Sequence, residues 1–380
     1  MTVFRNLFLS FFLIANWLPH YAQDHPGEFY KHFKGEFEGG LLITMDLLSL
    51  NDQVSGHYYY FFEDDLAPAG WRRSNIIPLQ GTWEDNIFRM SEFSNEKSVF
   101  LVNRIQADTL SGYWEQMEEG KRIGFYLTEH YPEGSLELDL HTIADSHPLI
   151  TGKEKPRADL MMAILTPANR ENISVSDSIN RAIAEALGAD QDALMHPEKL
   201  LTALRDEYFD SYIKSLEGIE NMEESSSFNW EKKQSMYVVR NEGNILSLRF
   251  DNSVYTGGAH GITMTEFYNF DLKTGEMIQP DEVFIPGFES VLDSLLTGKL
   301  REVNGIRAEE NLTDSGFFVE TITHSNNFYI NSHGIGFYYN VYSIAPFSAG
   351  ISELFLTFEQ LEHLLLRELS SWKTVNELNR

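Results

Sequence analysis

A run of short, aromatic-rich segments between positions 33 and 140 is the feature that most constrains the fold of this chain. Each segment is rich in aromatic and branched residues and is bounded by Asn, Asp, Gly or Glu, a pattern typical of β-strands joined by turns. We predict an all-β meander that closes into a small barrel or a sandwich, because closure removes exposed strand edges. The candidate strands are 41–49, 53–61, 76–81, 86–93, 98–103, 109–116 and 122–130.

Three of these candidate strands share a glycine that is followed, two residues later, by an aromatic residue. The glycine allows the strand to bend sharply, and the aromatic side chain lies on the same face of the strand. We interpret these aromatic residues as core. A ligand-holding barrel is the alternative, although about eight strands usually leave little more than a packed interior. The pairs are Gly56 with Tyr58, Gly81 with Trp83, and Gly112 with Trp114.

The pattern changes after a polar stretch at 141–157, which is predicted to be a linker because it contains Pro148, Gly152 and Pro156. From 158 to 380, segments of helical period alternate with apolar strands. Mainly antiparallel strands interspersed with helices predict the α+β fold class for the chain. The candidate helices are 179–187, 198–216, 288–303 and 359–372, and the candidate strands are 159–166, 230–241, 245–253, 264–271, 328–330, 336–342 and 354–357.

Residues 1–22 have the layout of a secretory signal peptide. Arg5 is their only charge, an apolar run extends from Leu7 to Leu18, and Ala22 offers a small residue before the predicted cleavage. A buried N-terminal helix is the alternative, whereas a membrane span would need roughly 20 apolar residues. The chain contains no cysteine, which excludes a lipid anchor, disulfides and thiolate chemistry. We therefore expect a secreted or periplasmic protein with no membrane span after signal cleavage.

The chain is strongly acidic, with a formal net charge of −28. The acidic residues are spread along the sequence rather than gathered in a tail, which is typical of a solvated surface. Such a surface repels nucleic acid and anionic glycans and attracts basic partners. We expect no nucleic-acid partner. The acidity is also consistent with a role in solubility alone.

Two motifs in the second half connect the chain to a known family. The run 255–261 places paired glycines beside an aromatic residue and a histidine, which marks a tight turn, and 269–276 reads as a strand closed by a Lys-Thr-Gly turn. Together with Asn180 and the run 337–350, these residues resemble a bacterial extracytoplasmic domain. It occurs in RsiV-type anti-sigma factors that sense lysozyme and beside the catalytic domain of PdaC-type peptidoglycan deacetylases.

The resemblance covers about residues 159–380. Positions 255–260 match the family's Y-x-G-G-A-H run, and 337–350 match its closing F-x-Y-x-x-Y-x-I-A-P-x-x-x-G run. The resemblance implies an α+β fold and a partner such as a lysozyme. The sigma-binding segment, the membrane helix and the metal-binding deacetylase motifs have no counterpart here. Receptor signalling and deacetylation are therefore not expected to transfer.

No recognised catalytic motif accompanies these runs. HExxH, the Walker loop, the G-x-S-x-G elbow and the dinucleotide fingerprint are absent, so no catalytic residue, metal or cofactor is assigned. His324 and His333 lack a local third ligand for a metal. His260 is either a binding or proton-transfer residue or one that bonds backbone amides of its turn. The candidate binding residues are Tyr255, Gly257, Gly258, His260, Tyr338, Tyr342 and Pro346.

Tyr338 and Tyr342 are expected to share one strand face, where they either contact a partner or pack in the core. The favoured hypothesis is a non-enzymatic binding protein that engages a basic protein such as a lysozyme, or a component of the cell envelope such as a cell-wall glycan. One alternative is a cell-envelope polysaccharide hydrolase or esterase that uses His260 with nearby acids. The other is capture of a small ligand by the N-terminal barrel, which requires a hollow interior.

Overall fold

The computed structural model describes residues 27–64, 70–84, 87–93, 95–106, 108–150, 154–168, 173–190, 196–219 and 226–366. The chain divides into two compact units, Met1–Tyr131 and Pro132–Arg380. The predicted signal peptide at 1–22 lies outside the described residues. Among the helices described, none combines the length and apolar character that crossing a bilayer requires.

The first unit is a closed antiparallel barrel. Each strand pairs with its neighbours in the barrel, and β1 pairs with both β2 and β9, which closes a ring of eight strands. The short strand β4 pairs with one end of β3. The strands are β1 (Phe29–Phe37), β2 (Leu42–Leu50), β3 (Gln53–Glu63), β4 (Trp71–Arg73), β5 (Ile77–Glu84), β6 (Ile87–Glu92), β7 (Asn95–Gln106), β8 (Thr109–Gln116) and β9 (Lys121–Glu129).

Apolar side chains fill the middle of the barrel. Phe33, Met45, Phe88 and Phe100 are fully buried in one cluster together with branched residues from the other strands. Tyr58 belongs to this cluster, and the half-buried Trp83 and Trp114 pack against it. The interpretation of these aromatic residues as core is therefore confirmed. Deep ligand capture requires a hollow barrel, whereas packed side chains fill the middle of this one.

The glycines that precede these aromatic residues lie where two strands approach closely. A Cβ atom on Gly81 would lie 1.9 Å from the carbonyl oxygen of Arg89 on β6, and one on Gly112 would lie 2.1 Å from that of Leu101 on β7. A Cβ on Gly56 would meet the carbonyl oxygen of Asp46 in the same way. Glycine therefore allows the strands to coil tightly enough to close the barrel.

Asp46 on β2 is a buried carboxylate in the first unit. Its Oδ1 accepts a hydrogen bond of 2.6 Å from the Tyr30 hydroxyl and lies 2.9 Å from His32 Nδ1, while its Oδ2 lies 3.4 Å from His57 Nε2. Burial raises the pKa of Asp46. The attraction of His32, its hydrogen bond and the charge of His57 outweigh burial and bring the pKa down to about 2.

Asp46 is therefore expected to make stability depend on pH in the acid range. Its folded-state pKa lies below the unfolded value near 3.8, so its stabilisation is present above about pH 4 and is lost as the pH falls towards 2. The difference is on the order of 2 kcal/mol. Denaturant unfolding of wild type and Asp46→Asn at about pH 5 and pH 2 should show the gap between them shrinking. The exposed Asp108→Asn is the control, and an unchanged gap for Asp46→Asn would contradict the prediction.

The second unit contains a five-stranded sheet with two helices in one crossover. The strand order is β10-β11-β12-β13-β14, and only the pair β11–β12 is parallel. Helices α1 and α2 lie between β11 and β12 in sequence and pack against β10 and β11. The elements are β10 (Leu138–Pro148), β11 (Arg157–Pro167), α1 (Ile173–Ala186), α2 (Pro197–Ser215), β12 (Trp230–Glu242), β13 (Ile245–Tyr255) and β14 (Ile262–Asp271).

The predicted linker at 141–157 is wrong over most of its described length. Residues up to Pro148 belong to β10, which pairs with β11 along its whole length, and the boundary between the units falls earlier, at Tyr131 and Pro132. The strand is polar because it lies at the edge of the sheet, with Asp145 and Ser146 exposed. Helix α1 begins at Ile173, earlier than the predicted start at 179, and Ser176 is buried within it.

A three-stranded antiparallel sheet and two helices complete the second unit. The core lies between them and contains Leu292, Leu296, Phe337 and Leu354 among its fully buried residues. The elements are α3 (Pro280–Val283), α4 (Glu289–Asn304), β15 (Phe328–Ile330), β16 (Gly334–Tyr339) and β17 (Ser352–Thr357). The order of the strands is β15-β16-β17. Helices with mixed and antiparallel sheets confirm the predicted α+β class.

The predicted helix at 359–372 is wrong in its described part. Residues 359–364 form turns, and Leu365 makes a β-bridge with Phe284. The amide of Ile285 donates to the carbonyl of Leu364, and the amide of Leu366 donates to the carbonyl of Val283. These groups are committed to another segment of the unit and are not free to form a helix. Residues from 367 onwards lie outside the described part.

Asparagine side chains join the edge strand β14 to the three-stranded sheet. Asn340 accepts from the Thr265 amide at 2.8 Å and donates to the Thr265 carbonyl at 2.9 Å, as a neighbouring strand would. Asn327 donates to the same carbonyl and accepts from the amide of Phe267. The edge of β14 is therefore satisfied by side chains, and this contact holds the loop that follows β16 next to β14.

Candidate functional site

The glycine run between β13 and β14 forms a turn whose shape only glycine allows. Gly257 and Gly258 have φ angles of +95° and +103°, and a Cβ on Gly257 would lie 2.5 Å from the carbonyl oxygen of Ser227. The Tyr255 hydroxyl donates a hydrogen bond of 3.1 Å to the carbonyl of Gly258, across the turn. The predicted tight turn is confirmed, and Tyr255 has a structural role in it.

His260 follows this turn and is exposed. Its Nδ1 lies 2.9 Å from the carbonyl oxygen of Gly261, so this nitrogen carries the hydrogen and donates it. The imidazole ring stacks on the ring of Phe347, with centroids 4.0 Å apart and planes 18° from parallel. The histidine therefore bonds a carbonyl of its turn rather than an amide, and it presents a flat aromatic pair.

Tyr342 also contacts Phe347, with ring centroids 5.7 Å apart. It is 54% exposed and has a φ of +68°, a left-handed conformation that is unusual for a bulky residue. Such backbone strain of about 1–3 kcal/mol concentrates at functional sites. Pro346 is exposed and extended, and it begins the short turn that carries Phe347. We call His260, Phe347 and Tyr342 the aromatic triad.

The aromatic triad adjoins exposed apolar residues in the sequence. Ile262 and Met264 follow His260 at the start of β14, and Ile351 follows the turn of Phe347; all three are substantially exposed. Phe347 was not among the residues predicted from sequence, and its only signal was its place after Pro346 in the closing run. Exposed aromatic rings offer contact area at a small loss of conformational entropy.

Tyr338 does not belong to this site. It is 4% exposed and packs against Phe267, with ring centroids 5.4 Å apart. The expectation that Tyr338 and Tyr342 share a strand face is wrong because β16 ends at Tyr339. Asn340 then pairs with the backbone of β14, and Tyr342 lies in the turn beyond it.

The two histidines considered for a metal site have separate partners. His324 Nδ1 lies 2.7 Å from Asp293 Oδ1, and His333 Nδ1 lies 2.9 Å from the Ser332 hydroxyl. In the described part of the chain, no three His, Cys, Asp or Glu side chains come together in a way that could hold a metal ion.

Two protein families match regions of this chain that contain the residues of the aromatic triad. The family "Deacetylase PdaC" matches residues 154–263, which contain His260, and the DUF3298 family, described as a protein of unknown function, matches residues 281–359, which contain Tyr342 and Phe347. The predicted resemblance is confirmed at the level of these two families. The likeness to RsiV-type receptors stays a prediction.

Solved structures of two DUF3298 proteins are similar to part of this chain. A member from Bacteroides fragilis is 28% identical with a TM-score of 0.57, and the match covers 63% of this chain and 96% of that one. A DUF3298 protein from Pseudomonas aeruginosa is 16% identical with a TM-score of 0.45, over 62% of this chain and 98% of that one. No curated protein matches the chain.

Proposed function

We propose that this chain is a non-enzymatic binding protein that acts outside the cytoplasm, and that its second unit engages a partner through the aromatic triad. The observation that carries the proposal is Tyr342, an exposed tyrosine held in a left-handed conformation against Phe347. A bulky side chain is kept in such a strained position only when the surrounding structure enforces it. Here that position displays a ring instead of burying it.

Three aromatic rings are consistent with an interface in which a few contacts supply most of the binding energy. Tyrosine and other aromatic residues dominate binding energies because they bring large area with few rotatable bonds. His260 and Phe347 are stacked before any partner arrives, so little ordering is left to occur on binding. A pre-formed aromatic surface of this kind fits the recognition of another macromolecule better than proton transfer.

The acidic chain favours a basic protein as the partner. A formal net charge of −28 accelerates association with a cationic surface and makes the complex sensitive to salt. A lysozyme is the specific candidate, and only the resemblance to lysozyme-sensing proteins suggests it. A cell-wall glycan, whose sugar rings would stack on the exposed rings, is the other candidate.

The proposal is tested by binding of residues 23–380 to a basic lysozyme at two salt concentrations, with Tyr342→Gly as the deciding variant. Glycine adopts φ near +68° without strain, so the variant should keep or gain stability by about 1 kcal/mol while its affinity falls at least about tenfold. Calorimetry gives both the dissociation constant and the melting temperature. Loss of binding in a protein that is not destabilised would separate recognition from folding.

Matched controls locate the site. Phe347→Ala should weaken binding as Tyr342→Gly does, whereas Phe93→Ala, an equally drastic change at an exposed phenylalanine of the first unit, should leave it unchanged. Absence of binding at low salt would contradict the lysozyme proposal. Full binding by both triad variants would contradict the proposed site.

Deacetylation without a metal ion is the second candidate, because the PdaC match includes the His260 turn whereas the metal-binding motifs of the deacetylases have no counterpart in this chain. It requires a cleft with an acid beside the histidine and a reacting carbonyl within reach. Release of acetate from N-acetylated peptidoglycan fragments, abolished by His260→Ala, would support it and would count against a purely non-enzymatic role.

A further inference from the structure

Glu92 is a buried carboxylate inside the barrel of the first unit. It is the last residue of β6 and lies on the same face of that strand as the fully buried Phe88 and Met90. Only 7% of the residue is exposed. A carboxylate in such a position is costly unless its charge is compensated by a partner.

The hydrogen bonds to Glu92 use only one of its two oxygens. The Tyr58 hydroxyl donates to Oε1 at 2.6 Å, and the Trp114 indole donates to the same atom at 3.0 Å. Burial and the charge of Glu92 raise the pKa of Tyr58 well above 10, so this donor stays protonated and neutral. Within the described residues, Oε2 has no hydrogen-bond donor and the carboxylate has no basic side chain in an ion pair.

Aromatic side chains lie beside this carboxylate. Trp114 donates a hydrogen bond to Glu92. Burial raises the pKa of Tyr60, and the nearby charge of Glu92 raises it further. Both aromatic side chains are only half-buried, and so are Ile77 and Ile123, which pair in register with Tyr58 and Trp114. The fully buried cluster fills the middle of the barrel. The carboxylate therefore lies beside side chains that are partly exposed to solvent.

We propose that this part of the barrel binds a small organic ammonium ion, whose N–H groups donate to Glu92 Oε2. An ammonium ion supplies a donor for Oε2 and a positive charge together, and the half-buried aromatic side chains beside the carboxylate offer apolar contact for its alkyl group. A neutral alcohol would supply the donor alone. A hard metal ion needs several oxygen ligands, whereas one carboxylate is present here. The negative charge of the chain also favours a cation over a neutral ligand.

This site is independent of the aromatic triad because it lies in the other unit, on different elements. Its failure would leave the proposed function intact, and the reverse is also true. The ammonium ion would lie outside the packed middle of the barrel, so this binding needs no hollow interior.

The test uses n-butylammonium and its neutral counterpart 1-butanol on residues 23–380. Trp114 serves as a local probe because its indole N–H bonds the same carboxylate, so its NMR resonance should shift with n-butylammonium at a dissociation constant of about 1 mM. Glu92→Gln keeps an acceptor for Tyr58 and Trp114 but removes the charge. It should weaken binding about tenfold or more.

Glu36→Gln provides the matched control, since Glu36 is an exposed glutamate of β1 in the same barrel and its replacement should change nothing. Equal binding of 1-butanol would overturn the proposal, because the site would then be apolar rather than cationic. Equal binding by Glu92→Gln, or no shift with n-butylammonium at about ten times the expected dissociation constant, would overturn it as well. The comparison of the two ligands on the unchanged protein decides the question even if the variant folds poorly.

Discussion

Replacing Gly81 by alanine should destabilise the barrel by about 4 kcal/mol or more, a large effect for the addition of one methyl group. The new Cβ would lie 1.9 Å from the carbonyl oxygen of Arg89 and 2.7 Å from the Cα of Met90. Both are backbone atoms of β6, so no side-chain rotation relieves the clash. Strands β5 and β6 would have to separate, and the closed ring of hydrogen bonds would open there.

Hydrogen exchange is the suitable measurement because it resolves the two units without assuming that they unfold together. Peptides that contain β5 and β6 should lose most of their protection in Gly81→Ala. Gly298→Ala is the control, since a Cβ there meets nothing within 4 Å and alanine should stabilise helix α4 by about 1 kcal/mol. Unchanged protection of the β5–β6 peptides would contradict the view that close strand approach requires glycine.

The barrel could be predicted from sequence because its signals are local. The alternation of apolar residues and the turn residues at the strand ends set most strand limits, and β8 has the predicted bounds of 109–116. The glycine–aromatic pairs indicated sharp bends with rings on the inner face, and the structure places those rings in the core. Strand β1 is not among the strands predicted from sequence. One reason is that Lys31 and Lys34 interrupt its aromatic pattern.

Errors arose where distant parts of the chain determine the local structure. Strand β10 has the composition of a loop because an edge strand tolerates polar residues, and only its pairing with β11 makes it a strand. The segment after Thr357 has a helical pattern and a capping hydrogen bond, in which the Gln360 amide donates to the Thr357 hydroxyl. The segment nevertheless pairs with residues 283–285 instead of forming the predicted helix. Periodicity alone carries no information on such pairings.

The candidate site was predicted in part for the same reason. The glycine run indicated a tight turn, which is present, and His260 beside it is exposed. The stacking of His260 on Phe347 joins residues that lie far apart in sequence, so no local sequence pattern predicts it. Tyr342 was included only through the closing run, and its left-handed conformation depends on the end of β16 at Asn340.

Asn269→Ala is expected to destabilise the second unit by about 3–5 kcal/mol, since it removes a side chain that joins the two sheets. Its Oδ1 accepts from the Ser247 hydroxyl at 2.7 Å and from the Ile330 amide at 3.1 Å, while its Nδ2 donates to the Phe328 carbonyl at 2.7 Å. All of these bonds are buried. Alanine would leave three polar groups without partners, and each such group costs roughly 1–3 kcal/mol.

The effect should be local before it is global, because β15 is only three residues long and depends on this side chain for its contact with β14. Hydrogen exchange at Ile330 should therefore accelerate more than exchange at the paired amides of β13 and β14. Asn311→Ala provides the matched control: Asn311 is exposed, its side chain donates only to Asp314, and its loss should stay within about 0.5 kcal/mol. If Asn269→Ala costs no more than this control, the sheets are held together by apolar packing alone, and the asparagine bonds contribute little to the position of the aromatic triad.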